Sequence, residues 1–392
     1  MARIVAVTGN EAVAEALRQT NPDVCAAYPI TPATDLMQRF ASFVANGQVD
    51  TELILVESEH SAMSACIGAA AGGGRVATAT SSQGLALMWE MLYIAAGTRL
   101  PIIMAVVNRS LSAPLNIHGD HSDAMGARDS GWIQLWSENA QEAYDNTIQA
   151  FKIGEHMDIR LPVMVCLDGF IISHSIERAE YLEDSEVKNF VGEYKTLNPL
   201  LDIDNPKSFG PLILPDLFHE YKRAQHEVTT KVKDVVLDIA KEFEKISGRK
   251  YGLFETYRLE DAEIALVILN SAAGTSKDVV DEFRDRGIKA GLLKPRLFRP
   301  FPYEEVADAL KHLKAICVMD RADSSGGYGP VFLEVSSALY HVKKRPRMIN
   351  KIYGLGGRDY LPQHAEQVLE ELVEITKTDN VRIIKEYIGV RE

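Results

Sequence analysis

The residues best suited to chemistry stand where predicted strands end. The segments "YPITPAT", "ESEHSA", "SSQGL" and "NRSLSAP" each follow an apolar run. Ligands of open parallel sheets lie beyond the carboxyl ends of the strands, so these segments are expected to share one edge. They bring Thr31, Glu59 and Arg109 into one candidate site.

Thr31 stands on a stiff corner. In "AAYPITPATDL", Pro29 and Pro32 flank it. Proline fixes its own φ and favours extended geometry in the residue before it. The corner is therefore either a plain strand-to-helix connection or a device that aims the Thr31 hydroxyl.

Glu59 begins a predicted helix of Ala, Ser and Gly, "EHSAMSACIGAAAGGG". Such small residues allow a flat ring to approach closely. The helix dipole favours a carboxylate at this end, so Glu59 fits the role of a capping acid. It fits equally a carboxylate that holds a ring nitrogen by a charge-assisted hydrogen bond.

Arg109 directly follows the predicted strand "PIIMAVVN". Its planar fork suits a carboxylate, and the adjoining "SLSAPLN" contains no acid. An ion pair with Glu57, Asp120 or Asp123 is the alternative. Asp120, His121 and Asp123 also resemble metal ligands, but no further ligand lies near them in sequence, which favours a hydrogen-bonded loop.

The segment "TSSQGLALM" places a glycine where a strand turns into a helix, with Ser81, Ser82 and Gln83 within reach of a ligand. It is not a G-x-G-x-x-G motif, and "AGGGR" precedes a strand rather than following one. Dinucleotide binding is therefore poorly supported. Neither a P-loop nor a G-x-S-x-G motif occurs.

The elements that position these residues form two units. Up to about residue 175, buried strand patterns alternate with helices, which predicts a doubly wound α/β domain. Residues 176–259 are predicted to be a linker with one long helix that lies across the domains. Residues 260–392 repeat a short βα period and predict a second α/β domain. Thr8 and Glu11 predict a capping box before the first helix.

Composition narrows the class of protein. A content of 46% hydrophobic and 25% charged residues is typical of a soluble globular chain. The net charge of −13 argues against nucleic-acid binding. The opening "RIVAVTG" has no charged leader, so we expect neither a signal peptide nor a membrane span.

The four cysteines are far apart and none forms a C-x-x-C motif; they are Cys25, Cys66, Cys166 and Cys317. We therefore expect no iron-sulfur cluster and no structural zinc in this chain. Reduced core thiols and a cytoplasmic location are predicted.

Three further segments are "GDHSDAMGARDSGWIQ", "RLFRPFP" and "GLGGRD". Together with the strand-end segments "YPITPAT", "ESEHSA", "SSQGLALM" and "NRSLSAP", they resemble the α subunits of 2-oxoacid:ferredoxin oxidoreductases, most closely those acting on pyruvate. The resemblance spans nearly the whole chain. It implies a thiamine diphosphate pyrimidine-binding domain over 1–175 and a transketolase C-terminal-like domain over 260–392.

The resemblance also implies roles for single residues. Glu59 would hydrogen-bond the aminopyrimidine and promote its imino tautomer, and Pro29, Ser82 and Gln83 are expected beside the cofactor. Thr31 and Arg109 would hold the carboxylate and carbonyl of the substrate.

Half of the implied site is missing from the sequence, which contains no G-D-G motif for a diphosphate and its Mg²⁺. The resemblance thus implies a β-type subunit carrying Mg²⁺, γ- and δ-type subunits, and [4Fe-4S] clusters in these partners. The expected reaction converts pyruvate and CoA to acetyl-CoA and CO₂ and reduces ferredoxin, reversibly.

Three alternatives stay open at this stage. The substrate could be 2-oxoisovalerate or another 2-oxoacid, although one cation beside a neutral threonine favours a monocarboxylate. The chain could instead be a non-catalytic scaffold subunit, or a subunit of an electron-transfer flavoprotein.

Overall fold

The computed structural model describes residues 3–391. Its strands are β1 (Arg3–Val7), β2 (Val24–Ala27), β3 (Glu52–Leu55), β4 (Val76–Thr80), β5 (Ile102–Asn108), β6 (Ile133–Trp136), β7 (Val163–Asp168), β8 (Glu177–Tyr181), β9 (Phe254–Tyr257), β10 (Ile264–Ile268), β11 (Ala290–Pro295), β12 (Leu297–Arg299), β13 (Ala315–Asp320), β14 (Arg347–Ile352) and β15 (Lys385–Tyr387).

Its α helices are α1 (Gly9–Thr20), α2 (Thr34–Ala45), α3 (Glu59–Gly72), α4 (Ser82–Leu87), α5 (Trp89–Gly97), α6 (Ser122–Gly126), α7 (Ala140–Gly154), α8 (Ile171–His174), α9 (Asp184–Val191), α10 (Pro215–Thr229), α11 (Val232–Ser247), α12 (Ala272–Asp285), α13 (Tyr303–Leu310), α14 (Pro330–Leu339) and α15 (Pro362–Thr378). A short 3₁₀ turn spans Leu355–Gly357.

The main sheet has seven strands in the order β12-β6-β7-β5-β4-β2-β3. Strands β2 to β7 run parallel, and every residue of β4, β5, β6 and β7 is buried. Burial on both faces is the reason these strands read as continuous apolar runs. The predicted α/β class is confirmed. Strand β1 lies outside this sheet, because it pairs antiparallel with β8.

The second sheet has the order β15-β14-β13-β10-β11-β9. The apolar stretch "KAGLLKPRLF" divides at Arg296 into β11 and β12. Strand β11 stays in the second sheet, whereas β12 pairs antiparallel with β6 of the main sheet. The two α/β units are therefore joined by strand hydrogen bonds as well as by side-chain packing.

The predicted long helix is wrong in one respect. The structure has two helices there, α10 and α11, with Thr230 and Lys231 between them. The buried residues of α11, among them Val232, Val236 and Phe243, belong to the core of the first unit. This helix thus packs on the first unit, and its Lys233 also pairs with Glu304 and Glu305 of the second unit, while α10 buries none of its residues.

Two local predictions are confirmed. The Thr8 hydroxyl accepts a hydrogen bond from the Glu11 N–H, and the Glu11 carboxylate accepts one from the Thr8 N–H, which is the predicted capping box. All four cysteines are free and buried. Between residues 3 and 391, no helix combines the length and apolar character needed to span a bilayer.

Candidate active site

Glu59 is a buried carboxylate that has no partner among the described residues. It is the first residue of α3, and the preceding Ser58 caps the helix by accepting a hydrogen bond from the Ser61 N–H. Only 6% of Glu59 is exposed. Within residues 3–391, no hydrogen bond or ion pair reaches its carboxylate. Because a buried charge is costly unless it is paired, this carboxylate is suited to receive a ligand.

Gly84 allows the end of β4 to approach Glu59. A Cβ at Gly84 would lie 2.6 Å from Glu59 Oε1 and 2.5 Å from Thr80 Oγ1. The buried hydroxyls of Thr80 and Ser81 have no hydrogen-bond partner in the described part of the chain. The Glu59 carboxylate and the Thr80 hydroxyl thus meet beside Gly84 with unused hydrogen-bonding capacity, which fits a nitrogen-rich planar ligand.

Arg109 and Thr31 lie together, as the shared sheet edge predicts. Arg109 Nη1 donates to the backbone carbonyl of Thr31 at 2.9 Å, and Arg109 Nε donates to the carbonyl of Asn116 at 3.1 Å. Arg109 is 7% exposed. Burial lowers the pKa of Arg109, and the nearby charge of Asp123 offsets part of this effect.

The alternative ion pair for Arg109 is not formed. Among the described residues, no carboxylate lies within ion-pair distance of its guanidinium. Asp123 instead accepts from the Arg109 backbone N–H at 2.9 Å. The guanidinium is thus oriented by two carbonyl oxygens, and its charge is left for an anionic ligand.

Asp123 joins the ends of two neighbouring strands. Its carboxylate accepts hydrogen bonds from Asn108 Nδ2 and from the backbone N–H groups of Ser82, Arg109 and Ala124. Burial raises its pKa to about 6, although these hydrogen bonds oppose the increase. Asp123 therefore fixes the positions of Ser82 after β4 and Arg109 after β5.

Asp120, His121 and Asp123 take part in the hydrogen bonds of the loop after β5. Asp120 accepts from Ser122, and His121 Nε2 lies 2.8 Å from Asp168 Oδ1. Within residues 3–391, the one acidic group with metal-ligand spacing is Glu138, Glu142 and Glu255. Lys277 and Lys294 already form ion pairs with that group.

The other predicted residues occupy the same edge in different ways. Pro29 is exposed. Ser82 is buried, and its hydroxyl donates to the Ser110 carbonyl. This hydroxyl therefore forms part of the wall of the site. Gln83 donates to the Ser112 hydroxyl at 2.8 Å. The Thr31 side chain is exposed, and it is the Thr31 carbonyl that contacts Arg109.

A buried charge cluster holds the second unit against this edge. Asp168, at the end of β7, pairs with His121 at 2.8 Å and with Arg321 at 3.2 Å. It also accepts from the backbone and hydroxyl of Ser271. Burial raises the pKa of Asp168, but Arg321 and His121 outweigh it and keep that pKa well below its usual range.

Sequence reasoning missed several members of the site. It did not assign Thr80 a role, and it did not foresee the joining role of Asp123 or the contact between Asn116 and Arg109. The glycine in "TSSQGL" was the available signal for the close approach of Glu59. No local pattern links Asp168 to Arg321, because 153 residues separate them.

Comparison with known proteins identifies the class of this α/β fold as that of thiamine-diphosphate-binding oxidoreductases. The family model "pyruvate flavodoxin/ferredoxin oxidoreductase, thiamine diP-bdg" matches residues 15–241. The model "pyruvate:ferredoxin oxidoreductase core domain II" matches residues 262–365. The chain belongs to the pyruvate:ferredoxin oxidoreductase family.

Relatives within this family are similar over their full length. Pyruvate synthase subunit PorA of Thermotoga maritima is 55% identical, covering 99% of this chain and 98% of the relative. PorA of Methanocaldococcus jannaschii is 49% identical over 92% of each chain. Ketoisovalerate oxidoreductase subunit VorA of Pyrococcus horikoshii is 42% identical, covering 95% and 94%.

A solved structure shares the fold. The 2-oxoglutarate:ferredoxin oxidoreductase of Magnetococcus marinus, with 2-oxoglutarate, coenzyme A and succinyl-CoA bound, superposes with a TM-score of 0.71 at 20% identity. The match covers 94% of this chain and 65% of that chain. At this identity the comparison concerns the fold alone.

Proposed function

We propose that this chain is the α subunit of a pyruvate:ferredoxin oxidoreductase and supplies the pyrimidine-binding half of a shared thiamine diphosphate site. The observation that carries the proposal is the unpaired, buried Glu59 carboxylate facing Gly84 and Thr80. Thiamine diphosphate, when bound, supplies the electron sink for decarboxylation of a 2-oxoacid. The α subunit binds and orients, and the electrons leave through other chains.

Glu59 is the residue that would hold the aminopyrimidine ring. A carboxylate accepts a charge-assisted hydrogen bond from a ring N–H, and the low-dielectric surroundings strengthen this bond. The Thr80 hydroxyl, which has no hydrogen-bond partner among the described residues, supplies a further donor or acceptor beside Glu59. Pro29 and Gln83 lie along this edge as further candidates for cofactor contact.

Arg109 and Thr31 would hold the substrate. The Arg109 guanidinium is buried, and no acidic side chain among the described residues forms an ion pair with it. The carboxylate of a 2-oxoacid would supply the missing ion-pair partner. One cation beside a neutral threonine suits a monocarboxylate, which supports pyruvate. The 55% identity to PorA over nearly the whole chain supports pyruvate too, whereas the VorA relative, at 42%, keeps 2-oxoisovalerate as the second candidate.

A second chain must complete the site. The sequence has no G-D-G motif for the diphosphate and Mg²⁺. Beside Glu59, helices α4 and α5 expose Leu87, Trp89, Tyr93 and Ile94. A cluster of exposed aromatic and aliphatic side chains is typical of an interface. We place the β-type subunit on this face.

Electron transfer requires further partners. The four cysteines are all buried, and burial raises the pKa of each thiol, which makes them poor cluster ligands. In such a complex, [4Fe-4S] clusters of γ- and δ-type subunits would carry the two electrons released per pyruvate to ferredoxin. Such a complex would work in the reducing cytoplasm.

The test is the substitution Glu59→Gln in the purified complex. We expect pyruvate-dependent ferredoxin reduction to fall by about 100-fold or more, since the lost group acts on proton positions at the cofactor. Glu57→Gln is the matched control, because Glu57 lies two residues away and is exposed. If the assembled Glu59→Gln complex kept the wild-type rate, the proposed role would be wrong and the chain would be a scaffold subunit.

A further inference from the structure

The second α/β unit reaches directly into the loop that carries Arg109. We call residues 354–357 the second-unit turn and residues 109–120 the Arg109 loop. Asn116 Nδ2 donates to the Gly356 carbonyl at 2.9 Å, and the Gly356 N–H donates to Asp120 Oδ2 at 3.1 Å. The Gly357 N–H donates to the Gly119 carbonyl at 2.8 Å. Three hydrogen bonds thus connect the turn to the loop.

The packing between turn and loop is too close for side chains. Gly356 and Gly357 have φ of +59° and +80°, in the left-handed region that favours glycine. A Cβ on Gly356 would overlap the Asn116 side chain, and one on Gly357 would overlap the His118 side chain. The position of the Arg109 loop is therefore defined by its close contact with the backbone of the second-unit turn.

Asn116 connects this contact to Arg109. Its side chain donates to Gly356, and its carbonyl accepts from Arg109 Nε at 3.1 Å. Its Oδ1 accepts from the His118 N–H at 2.6 Å, which closes a local turn. The same residue thus contacts the second unit with its side chain and Arg109 with its backbone.

The second-unit turn is itself anchored to the first unit. Arg321 Nε donates to the Gly354 carbonyl at 3.1 Å, and Arg321 pairs with Asp168 at 3.2 Å. The His121 N–H donates to the Arg321 carbonyl at 2.8 Å. Arg321, His121 and Asp168 are all buried. Movement of the turn would disturb this charge cluster, so the turn is a firm support.

We propose that the second-unit turn is a positioning element for Arg109 and thereby sets the affinity for the 2-oxoacid carboxylate. The proposal rests on the role of Arg109 proposed above. Asn116 and Gly356 are positioning residues, because they act through the Arg109 guanidinium. The second unit then contributes to substrate binding as well as to the stability of the chain.

The test uses two variants from opposite sides of the contact, in the assembled complex. In Asn116→Ser, the hydroxyl can still accept from the His118 N–H but is too short to reach Gly356. Gly356→Ala pushes against Asn116 from the other side. Each is expected to raise KM for pyruvate by about fivefold, the effect of one lost hydrogen bond, with kcat nearly unchanged.

Lys233→Ala is the control. Lys233 pairs with Glu304 and Glu305 across the units, away from the Arg109 loop, so its loss should leave KM unchanged. Repeating Asn116→Ser in an Arg109→Ala background should add no further increase in KM. This absence of additivity is the signature of action through Arg109.

Two outcomes would overturn the proposal and are distinguishable. If Arg109→Ala raises KM but Asn116→Ser and Gly356→Ala do not, the positioning role is wrong and the substrate role of Arg109 stands. If Arg109→Ala itself leaves KM unchanged, the substrate role fails, and the positioning proposal fails with it. An equal increase from Asn116→Ser with and without Arg109 also contradicts the positioning role.

Discussion

The substitution Gly84→Ala tests the close approach between β4 and Glu59. Its methyl group would lie 2.6 Å from Glu59 Oε1, whereas ordinary contacts of this kind begin near 3.4 Å. One of the two groups must therefore retreat by roughly 0.8 Å. The Thr80 hydroxyl would lie 2.5 Å from the same methyl group, and among the described residues neither it nor the Glu59 carboxylate has a hydrogen bond to hold it, so both are displaced.

The expected loss of activity follows from this displacement. Misplacing a group at the reacting centre by about 1 Å costs on the order of 100-fold in rate. The effect on folding is smaller, since overpacking costs about 1 to 3 kcal/mol. Replacing a helical glycine by alanine returns up to about 1 kcal/mol. Activity should fall far more than stability.

The assay is pyruvate-dependent ferredoxin reduction by the assembled complex at saturating thiamine diphosphate, with Tm measured alongside. Gly126→Ala is the control, because nothing lies within 4 Å of a Cβ at that position. A Gly84→Ala complex with the wild-type rate would show that Glu59 is not confined as described. Equal losses in the two variants would contradict the explanation as well.

The remaining predictions concern three charged residues. Arg109→Ala should raise KM for pyruvate roughly 10- to 150-fold, corresponding to about 1.5 to 3 kcal/mol for a charge-assisted hydrogen bond, and an unchanged KM in steady-state kinetics would contradict its role. Asp168→Asn leaves Arg321 buried with its ion pair broken and should lower the free energy of unfolding by about 3 to 5 kcal/mol in denaturant titrations; equal stability would contradict the pairing. Asp123 has a folded pKa of about 6, above the unfolded value of about 3.9, so the folded state binds the proton more tightly. Its contribution therefore makes the protein less stable as pH rises from about 4 to about 6 and is constant above that range. The difference in unfolding free energy between wild type and Asp123→Asn should change in this window, and a pH-independent difference would contradict it.

The strands of the main sheet were predictable because β4, β5 and β7 are buried on both faces and read as apolar runs. The capping box of Thr8 and Glu11 was predictable too, because it depends only on two residues three positions apart. The break at Thr230 and Lys231 was not, since neither residue is a glycine or proline that would end a helix. The transfer of β12 to the main sheet depends on tertiary pairing with β6 and has no local signal.

The candidate site was predictable to the extent that strand ends share an edge. The shared edge predicts that Thr31 and Arg109 lie together, and Arg109 donates to the Thr31 carbonyl. The sequence could not show that the partners of Arg109 are backbone carbonyls, because any residue can supply one. The contact of Asn116 with Gly356 joins positions 240 residues apart, and only the folded chain brings them together.

The shared cofactor site is tested most directly by titrating thiamine diphosphate and Mg²⁺ into this chain alone and into the assembled complex. Pyruvate-dependent ferredoxin reduction is followed in both, with 2-oxoisovalerate as the competing substrate. We predict tight binding and turnover in the complex only, with pyruvate preferred and turnover lost in Glu59→Gln. Equally tight cofactor binding by the chain alone, or undiminished turnover in Glu59→Gln, would contradict a site completed by a second subunit and centred on Glu59.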